Sequence, residues 1–366
     1  MITIGKRTAG AGAPCLVIAE LGTSHQGDLG KARALIEAAA KAGADCIKFQ
    51  LVYADEILHP LSGIVDLPTG KIALYEQFKA LERGIDFYGK LKELTEATGV
   101  LFLCSHFGIR SARELRSLGS RALKIASPEL NHVPLLEEVA GYGLPLFLSS
   151  GVSLLGDIER ALAITGRSTI VLLHCVTSYP APEEQYNVSV LRSLRSVFGV
   201  EVGLSDHSMD PVLVPALAVA HGACAVEKHF TLSREGTGLD DPIALEPVQF
   251  RRMVEAIREA EAAGPGKTLR RLRRQFGGQR ADAVQGTGIK DLAPAERANY
   301  TRTNRSIHAL RAISQDETIA ADAVSVLRTE KVLRPGLSPE LLRVVVGARA
   351  RRPIPPGEGI EWADLL

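Results

Sequence analysis

The sequence predicts a (β/α)8 TIM barrel over residues 1–263, a basic linker over 264–300 and a small, mostly β domain over 301–366. Three observations carry that prediction. Eight short apolar runs recur at roughly 20–30-residue spacing, as parallel strands with crossover helices require. The stretches between them are amphipathic and rich in Ala, Leu, Glu and Arg. After Ala263 the texture changes: Gly264-Pro265-Gly266 punctuates the chain, and beyond Thr301 come short β-branched runs broken by turn signals.

The strand-like runs are Leu16–Leu21, Asp45–Val52, Val100–Phe107, Ala122–Ser127, Pro145–Ser150, Thr169–Val176, Val202–Asp206 and Ala223–Phe230. Helical stretches lie between them at Lys31–Ala42, Phe87–Thr98, Ser111–Leu118, Leu135–Tyr142, Gly156–Ile164, Val188–Val197 and Pro211–Ala220, with a last one near Pro247–Ala263. One insertion, around His59–Gly70, reads as loop and Pro/Gly turns. An open doubly wound sheet is the competing fold, but no Gly-rich dinucleotide loop follows the first strand.

Across 366 residues, 43 Lys+Arg face 42 Asp+Glu for a net charge of +1, and 46% of residues are hydrophobic. That composition belongs to an ordinary globular chain rather than a disordered one. The near-zero total hides a division: residues 263–366 hold 18 basic and 11 acidic side chains, the first 262 hold 25 and 31. The run KTLRRLRRQFGGQR reads as a solvated linker. A nucleic-acid surface there would want stacking aromatics, and only Phe276, Tyr300 and Trp362 follow residue 262. The longest apolar run, Val212–Val226, is broken by Pro215 and His221, and the N-terminus lacks an apolar signal core. The expectation is a cytoplasmic protein with neither membrane nor nucleic-acid partners. Cys15, Cys46, Cys104, Cys175 and Cys224 show no CxxC spacing and sit in strand-like runs, as small apolar fillers do.

A barrel of this kind carries its chemistry at the C-terminal ends of the strands. Here those ends are polar: Glu20, Lys48 and Gln50, Ser105 and His106, Lys124 and Ser127, Ser149 and Ser150, His174 to Tyr179, Ser205 to His207, and Glu227 to His229. Residues two apart share a strand face, so Lys48 with Gln50, Ser205 with His207, and Glu227 with His229 point together into the mouth. Any one of these alone reads better as an ordinary hydrogen-bonded strand terminus; eight such ends together predict a shared active site. Lys48 and Lys124 in a partly desolvated mouth ask for an anionic, phosphate-type ligand. The plainer alternative pairs them with Glu20 and Glu227. His207 and His229, on adjacent strands, suit one divalent ion, Mn²⁺, Co²⁺ or Mg²⁺, used as a Lewis acid. A metal-dependent sugar isomerase or aldolase, and a carbohydrate-binding scaffold, compete with a synthase.

These residues lie in blocks that resemble the sialic acid synthase family, enzymes that condense phosphoenolpyruvate with an N-acetylated amino sugar. The blocks are IAELGTSHQGDL (18–29), AGADCIKFQ (42–50), LKIASPE (123–129), LSSGV (148–152), HCVTSYPAP (174–182), GLSDHS (203–208), EKHFT (227–231) and LEP (245–247). The C-terminal segment, from NRSIHALRAI to RRPIPPGEGI, resembles the family's antifreeze-like, or SAF, domain. The resemblance implies a metal, Mn²⁺ first, on His207 and His229. It implies a phosphoenolpyruvate site of Lys48, Ser105, Lys124, Ser127, Ser149, Thr177 and Ser205. Glu20, Gln50, Tyr179 and Asp240 would contact the sugar, and Arg334 of the RPG motif would reach the sugar site of a partner in a domain-swapped homodimer. Catalytic proton transfer would fall to Glu20 or Glu129, with Lys124 neutralising the donor.

The sequence departs from the family's pattern at four places. Ser105-His106-Phe107 stands for a usual Thr-Pro-Phe, Ser127-Pro128-Glu129 for Ser-Gly-Glu, Gly238-Leu239-Asp240 for Gly-Pro-Asp, and Thr177 for an asparagine. They cluster toward the acceptor, so the resemblance leaves N-acetylmannosamine and deoxy-diamino sugars of the legionaminic or pseudaminic type both open.

Overall fold

Eight parallel strands close on themselves in sequence order: β1 (Leu16–Gly22), β2 (Cys46–Leu51), β3 (Leu101–His106), β4 (Leu123–Ile125), β5 (Leu146–Ser149), β6 (Ile170–Cys175), β7 (Glu201–Asp206) and β8 (Ala225–His229). The computed structural model describes residues 1–67, 70–330 and 332–366. Each strand is followed by a helix of the outer layer: α1 (Leu29–Lys41), α2 (Ile85–Ala97), α3 (Ile109–Ser117), α4 (Val133–Ala140), α5 (Leu155–Thr165), α6 (Val190–Phe198), α7 (Leu213–Ala220) and α8 (Pro247–Ala263). The predicted TIM barrel and its elements are therefore present.

Strand alternation sorts the side chains into two apolar layers. Val202, Leu204, Val226, Leu123 and Ile125 face outward against the helices. Leu16, Ile18, Cys46, Leu103, Phe147, Val171, Leu173 and Ala225 fill the barrel's lower interior. A hairpin of Ile2–Ile4 and Arg7–Ala9, unanticipated from sequence, adds Ile2, Ile4 and Ala9 to that inner core. All five cysteines are buried and free.

Above the inner core the inward positions turn polar, and register aligns them. Glu20 pairs with Lys48 on one side and His229 on the other; Ser105 pairs with Lys124, and Ser205 with Glu227. The β1–β2 register shifts between Glu20 and Gly22, a bulge that turns the chain at the mouth. Gly22 has φ +51°, and a Cβ there would sit 3.3 Å from Gln50 Nε2 and 3.4 Å from Glu20 Oε1, so both conformation and space call for glycine.

The insertion after β2 forms a hairpin, Ile64–Leu67 with Gly70–Ala73, and a helix over Leu74–Leu81. The basic stretch past Ala263 carries two helices, α9 (Pro265–Phe276) and α10 (Gly278–Gln285). Thr268, Leu272, Ala281 and Val284 are buried, while Arg271 and Arg273 pair with Glu259 and Asp282, and Arg280 with Glu183 and Asp210. Its charges are thus solvated or paired while a narrow apolar stripe packs on the barrel. The last domain pairs β9 (Arg305–Ala309) with β10 (Val324–Arg328) around Ile307, Ile313, Ile319, Val345, Ile354 and Ile360. Among the described residues, no helix is long and apolar enough to cross a membrane.

The small domain sits on the C-terminal face of its own barrel. Arg305, at the start of β9, is fully buried; its guanidinium donates to Glu129 Oε1, to Phe107 O at 2.8 Å and to Glu56 O at 2.5 Å. Asn131 exchanges two hydrogen bonds with the Arg305 backbone, and Arg328 N donates to Ile57 O.

Candidate active site

Lys48 and Lys124 anchor a buried polar layer across the barrel mouth. Lys48 Nζ lies 2.7 Å from Glu20 Oε2 and 3.5 Å from Glu227 Oε1, and donates to Ser105 Oγ at 3.1 Å. Lys124 Nζ donates to Ser149 Oγ at 2.8 Å and to Ile125 O, and stands 3.9 Å from Glu227 Oε2. Gln50 Nε2 donates to Glu20 Oε1 at 2.6 Å, and Ser205 Oγ to Glu227 Oε1 at 3.4 Å. The lysines thus have the Glu20 and Glu227 partners of the plainer sequence reading, and the hydroxyls of the other reading stand around them. Seven of the predicted site residues, Glu20, Lys48, Gln50, Ser105, Lys124, Ser149 and Ser205, join in one network through Glu227.

The charges in this layer are tuned apart. Burial disfavours the Lys48 ammonium, but Glu20 and Glu227 outweigh it and raise the pKa above the ordinary lysine value. For Lys124 burial prevails over the pull of Glu227, and the pKa is lowered. Glu227 is held below the usual carboxylate value because Lys124 and Lys48 overcome its burial. Glu20 moves the opposite way, raised by burial against the pull of Lys48. One carboxylate is held ionised while its neighbour is biased toward keeping a proton, the usual division between counter-charge and acid–base group.

A second cluster lies beside the first. The rings of His207 and His229 are 5.4 Å apart, and Tyr179 lies 4.3 Å over His207. His207 Nδ1 bonds Val176 O at 2.8 Å, which presents Nε2 to the mouth. Burial opposes charge on this ring, yet Cys175 Sγ, 3.8 Å from Nδ1, outweighs it and lifts the pKa to about 9. His229 is pushed well below the usual value by burial, then by neighbouring cations, so it stays neutral; its Nδ1 is 3.7 Å from Asp240 Oδ2. Among the described residues no three His, Cys, Asp or Glu side chains group as a metal cage. Two imidazoles at the mouth fit an open Lewis-acid site if His207 exchanges its Nε2 proton for the ion, and the remaining ligands would come from water and substrate.

Ser127 and Thr177 frame the mouth's other rim. Ser127 Oγ accepts from Gly151 N at 3.0 Å, and Thr177 Oγ1 is 4.0 Å from Cys175 Sγ. Glu296, a buried linker residue with no sequence signal, accepts from both Val152 N and Thr177 N at 2.7 Å. It straps the β5 and β6 loops together. Glu227, a polar strand end that the sequence paired with the lysines in the plainer reading, stands 3.5 Å from Lys48 and 3.9 Å from Lys124.

Two expected residues make other contacts within this chain. Glu129 is fully buried between the domains, its Oε1 taken by Arg305 and by Arg328 Nη2 at 2.7 Å, a pairing that suits a clasp rather than a proton carrier. Arg334 bonds Gly359 O and pairs with Asp364 at 2.9 Å and Glu361 at 3.4 Å within its own domain, because the turn after β10 points it back at the C-terminal segment. The guanidinium of Arg328 lies 5.5 Å from the Phe107 ring and close enough to Tyr179 for the two to interact electrostatically.

Comparison with known proteins agrees with this architecture. Residues 35–268 match the NeuB family and residues 304–366 the SAF domain. The chain is 34% identical to the spore coat polysaccharide biosynthesis protein SpsE of Bacillus subtilis, over 99% of this chain and 96% of that one. The crystal structure of that protein superposes with a TM-score of 0.85 at 33% identity, covering 100% and 99% of the two chains. An N,N'-diacetyllegionaminic acid synthase of Legionella pneumophila is 31% identical over 99% of this chain and 97% of its own. The N-acetylneuraminic acid synthetase of Leptospira borgpetersenii, solved with citrate, matches at TM-score 0.65 and 32% identity over 81% and 94%. With the barrel and its terminal domain both matched in order, the chain belongs to the NeuB family, the sialic acid synthase family, with a C-terminal SAF domain.

Proposed function

We propose that this chain is a nonulosonic acid synthase, a transferase that condenses phosphoenolpyruvate with an N-acetylated amino sugar to give a nine-carbon 2-keto acid and phosphate. The observation that carries the reading is the pair of buried lysines, ringed by hydroxyls and counter-balanced by Glu227 and Glu20, beside two histidines at the barrel mouth. Such a layer is built to receive a compact polyanion in a site that excludes water.

In the proposed reaction the donor's methylene carbon bonds to the aldehyde carbon of the open-chain sugar, and water adds to the former enol carbon. One proton of that water goes to the alkoxide left from the aldehyde. The bond between the former enol carbon and the phosphate's bridging oxygen then breaks, and hydrogen phosphate leaves with the second proton as that carbon becomes the ketone. A divalent ion on His207 and His229, Mn²⁺ first with Mg²⁺ or Co²⁺ as substitutes, would supply Lewis-acid polarisation of the aldehyde. Lys48 and Lys124, with Ser105, Ser127, Ser149, Thr177 and Ser205, would hold the donor's carboxylate and phosphate. Glu20, whose carboxyl is raised by burial, is the better placed of the two predicted acids to hold or move a proton. Gln50, Tyr179 and Asp240 line the acceptor side.

N-acetylmannosamine is the first acceptor. The relative from Legionella, named for N,N'-diacetyllegionaminic acid, favours a deoxy-diamino sugar as the second reading. A panel of both sugar types with phosphoenolpyruvate and Mn²⁺, read by phosphate release and product mass, decides between them. Sugar cleavage or isomerisation without phosphate release overturns the synthase reading. We also propose a domain-exchanged homodimer, in which the Arg305–Glu129 contact forms between chains; an active monomer in sedimentation would rule it out.

A further inference from the structure

We propose that Asp206, Lys228 and Tyr186 form a buried positioning network that sets the separation of His207 and His229. The proposal rests on reading those histidines as the metal pair. Strands β7 and β8 pair Ser205 with Glu227 and then Asp206 with Lys228. Alternation sends Ser205, His207, Glu227 and His229 toward the barrel axis, and Asp206 and Lys228 out to the helical layer. Each of these outward residues is the immediate neighbour of one histidine.

The outward faces of these strands are otherwise apolar, with Val202, Leu204 and Val226 below. Only at the level of the histidines does an ion pair replace them. Lys228 Nζ lies 2.8 Å from Asp206 Oδ2, and the two side chains are 1% and 0% exposed. Lys228 Nζ also donates to the Ser208 carbonyl and, at 3.2 Å, to Ser208 Oγ. Asp206 Oδ1 accepts from Ser208 N at 2.8 Å. The Tyr186 hydroxyl oxygen accepts from His207 N at 2.5 Å, and its phenol feels the Asp206 carboxylate. His207 is therefore held through its own N–H, through both backbone groups of the next residue, and through its ring at Val176 O.

A fully buried ion pair contributes little net stability over an apolar pair of similar volume, because desolvation offsets the attraction. What a hydrophobic pair cannot supply here is direction. The ammonium ties the residue before His229 to the residues on either side of His207, so the strands cannot splay without breaking charge-assisted bonds.

The test uses the full-length chain stripped of metal by chelation, with Mn²⁺ as the probe and the electron paramagnetic resonance signal of free Mn²⁺ as the readout. Lys228→Met and Asp206→Asn should weaken Mn²⁺ binding by about 10- to 100-fold at a temperature where circular dichroism shows them folded. Lys228→Arg should recover part of the loss. Tyr186→Phe, which removes one oxygen and keeps the packing, should weaken binding severalfold, and it decides the question if the charge variants do not fold. Folded variants that bind Mn²⁺ as the parent does overturn the positioning role and leave the histidine assignment standing. A parent chain that binds no Mn²⁺ overturns both.

Discussion

Glu129 and Arg305, 176 residues apart in sequence, meet with Oε1 2.9 Å from Nη2, and neither side chain has any exposure to solvent. One belongs to the turn after β4 and the other to the first strand of the small domain. Arg328 shares the same carboxylate oxygen. The carboxylate is the hinge-pin of the domain contact.

Removing that carboxylate leaves the fully buried Arg305 guanidinium without its counter-charge and Arg328 with only Glu330, at 3.9 Å. Glu129→Ala should cost about 3–5 kcal/mol, the usual penalty for breaking a buried pair. Urea unfolding should register it, and trypsin should cut the 264–304 segment faster as the small domain lifts. If Glu129 carried catalytic protons instead, Glu129→Gln would abolish turnover and leave urea midpoints unmoved.

Glu20 is expected to behave in the reverse manner. Glu20→Gln keeps the shape and the Gln50 contact but removes the group argued to hold a proton, so kcat should fall by roughly 10²–10⁴. Stability should change much less than in Glu129→Ala. Stopped assays of phosphate release give kcat directly, and a variant retaining more than a tenth of the parent rate would move the proton role to another group.

Acid should destabilise the fold through His106. Burial, with Lys124 adding to it, lowers this imidazole to about 3 from an ordinary 6.5. Between those values the unfolded chain binds a proton that the folded chain refuses, so stability is present above pH 6.5 and drains as pH falls toward 3. The slope from this one group is about 1.4 kcal/mol per pH unit. His106→Leu should flatten the fall in urea midpoint between pH 6.5 and 4.5 by about one proton's worth; an unchanged slope would mean the ring is charged or exposed.

How much of this was legible in sequence follows from what each feature depends on. The barrel rests on local periodicity, so β1 to β8 and their helices were readable, and parity placed Lys48, Ser205, Glu227 and His229 on inward faces. The Ile2–Ile4 hairpin was too short to signal, with three residues per strand. Helices α9 and α10 hide a stripe of Thr268, Leu272, Ala281 and Val284 beneath a basic surface that resembles a linker. Glu129 and Glu296 were beyond reach for a different reason. A carboxylate's role depends on its partner, and those partners lie more than a hundred residues away in sequence: Arg305 for one, the Val152 and Thr177 amides for the other.

The two arginines of the small domain provide the last prediction, since sequence pointed to Arg334 and the geometry points to Arg328. Arg328 lies beside Tyr179 and Phe107 at the mouth, with its guanidinium fixed by Glu129 at 2.7 Å. Arg334 is occupied by Asp364 and Glu361. Arg328→Met keeps an unbranched side chain and removes the charge, so the KM for the acceptor sugar should rise by about tenfold or more while that for phosphoenolpyruvate holds within about twofold. Arg334→Ala should leave both KM values in place and lower the melting temperature of the small domain, because the fully buried Asp364 then loses a partner. If the sugar KM instead follows Arg334, the small domain presents its RPG turn, and not Arg328, to the acceptor.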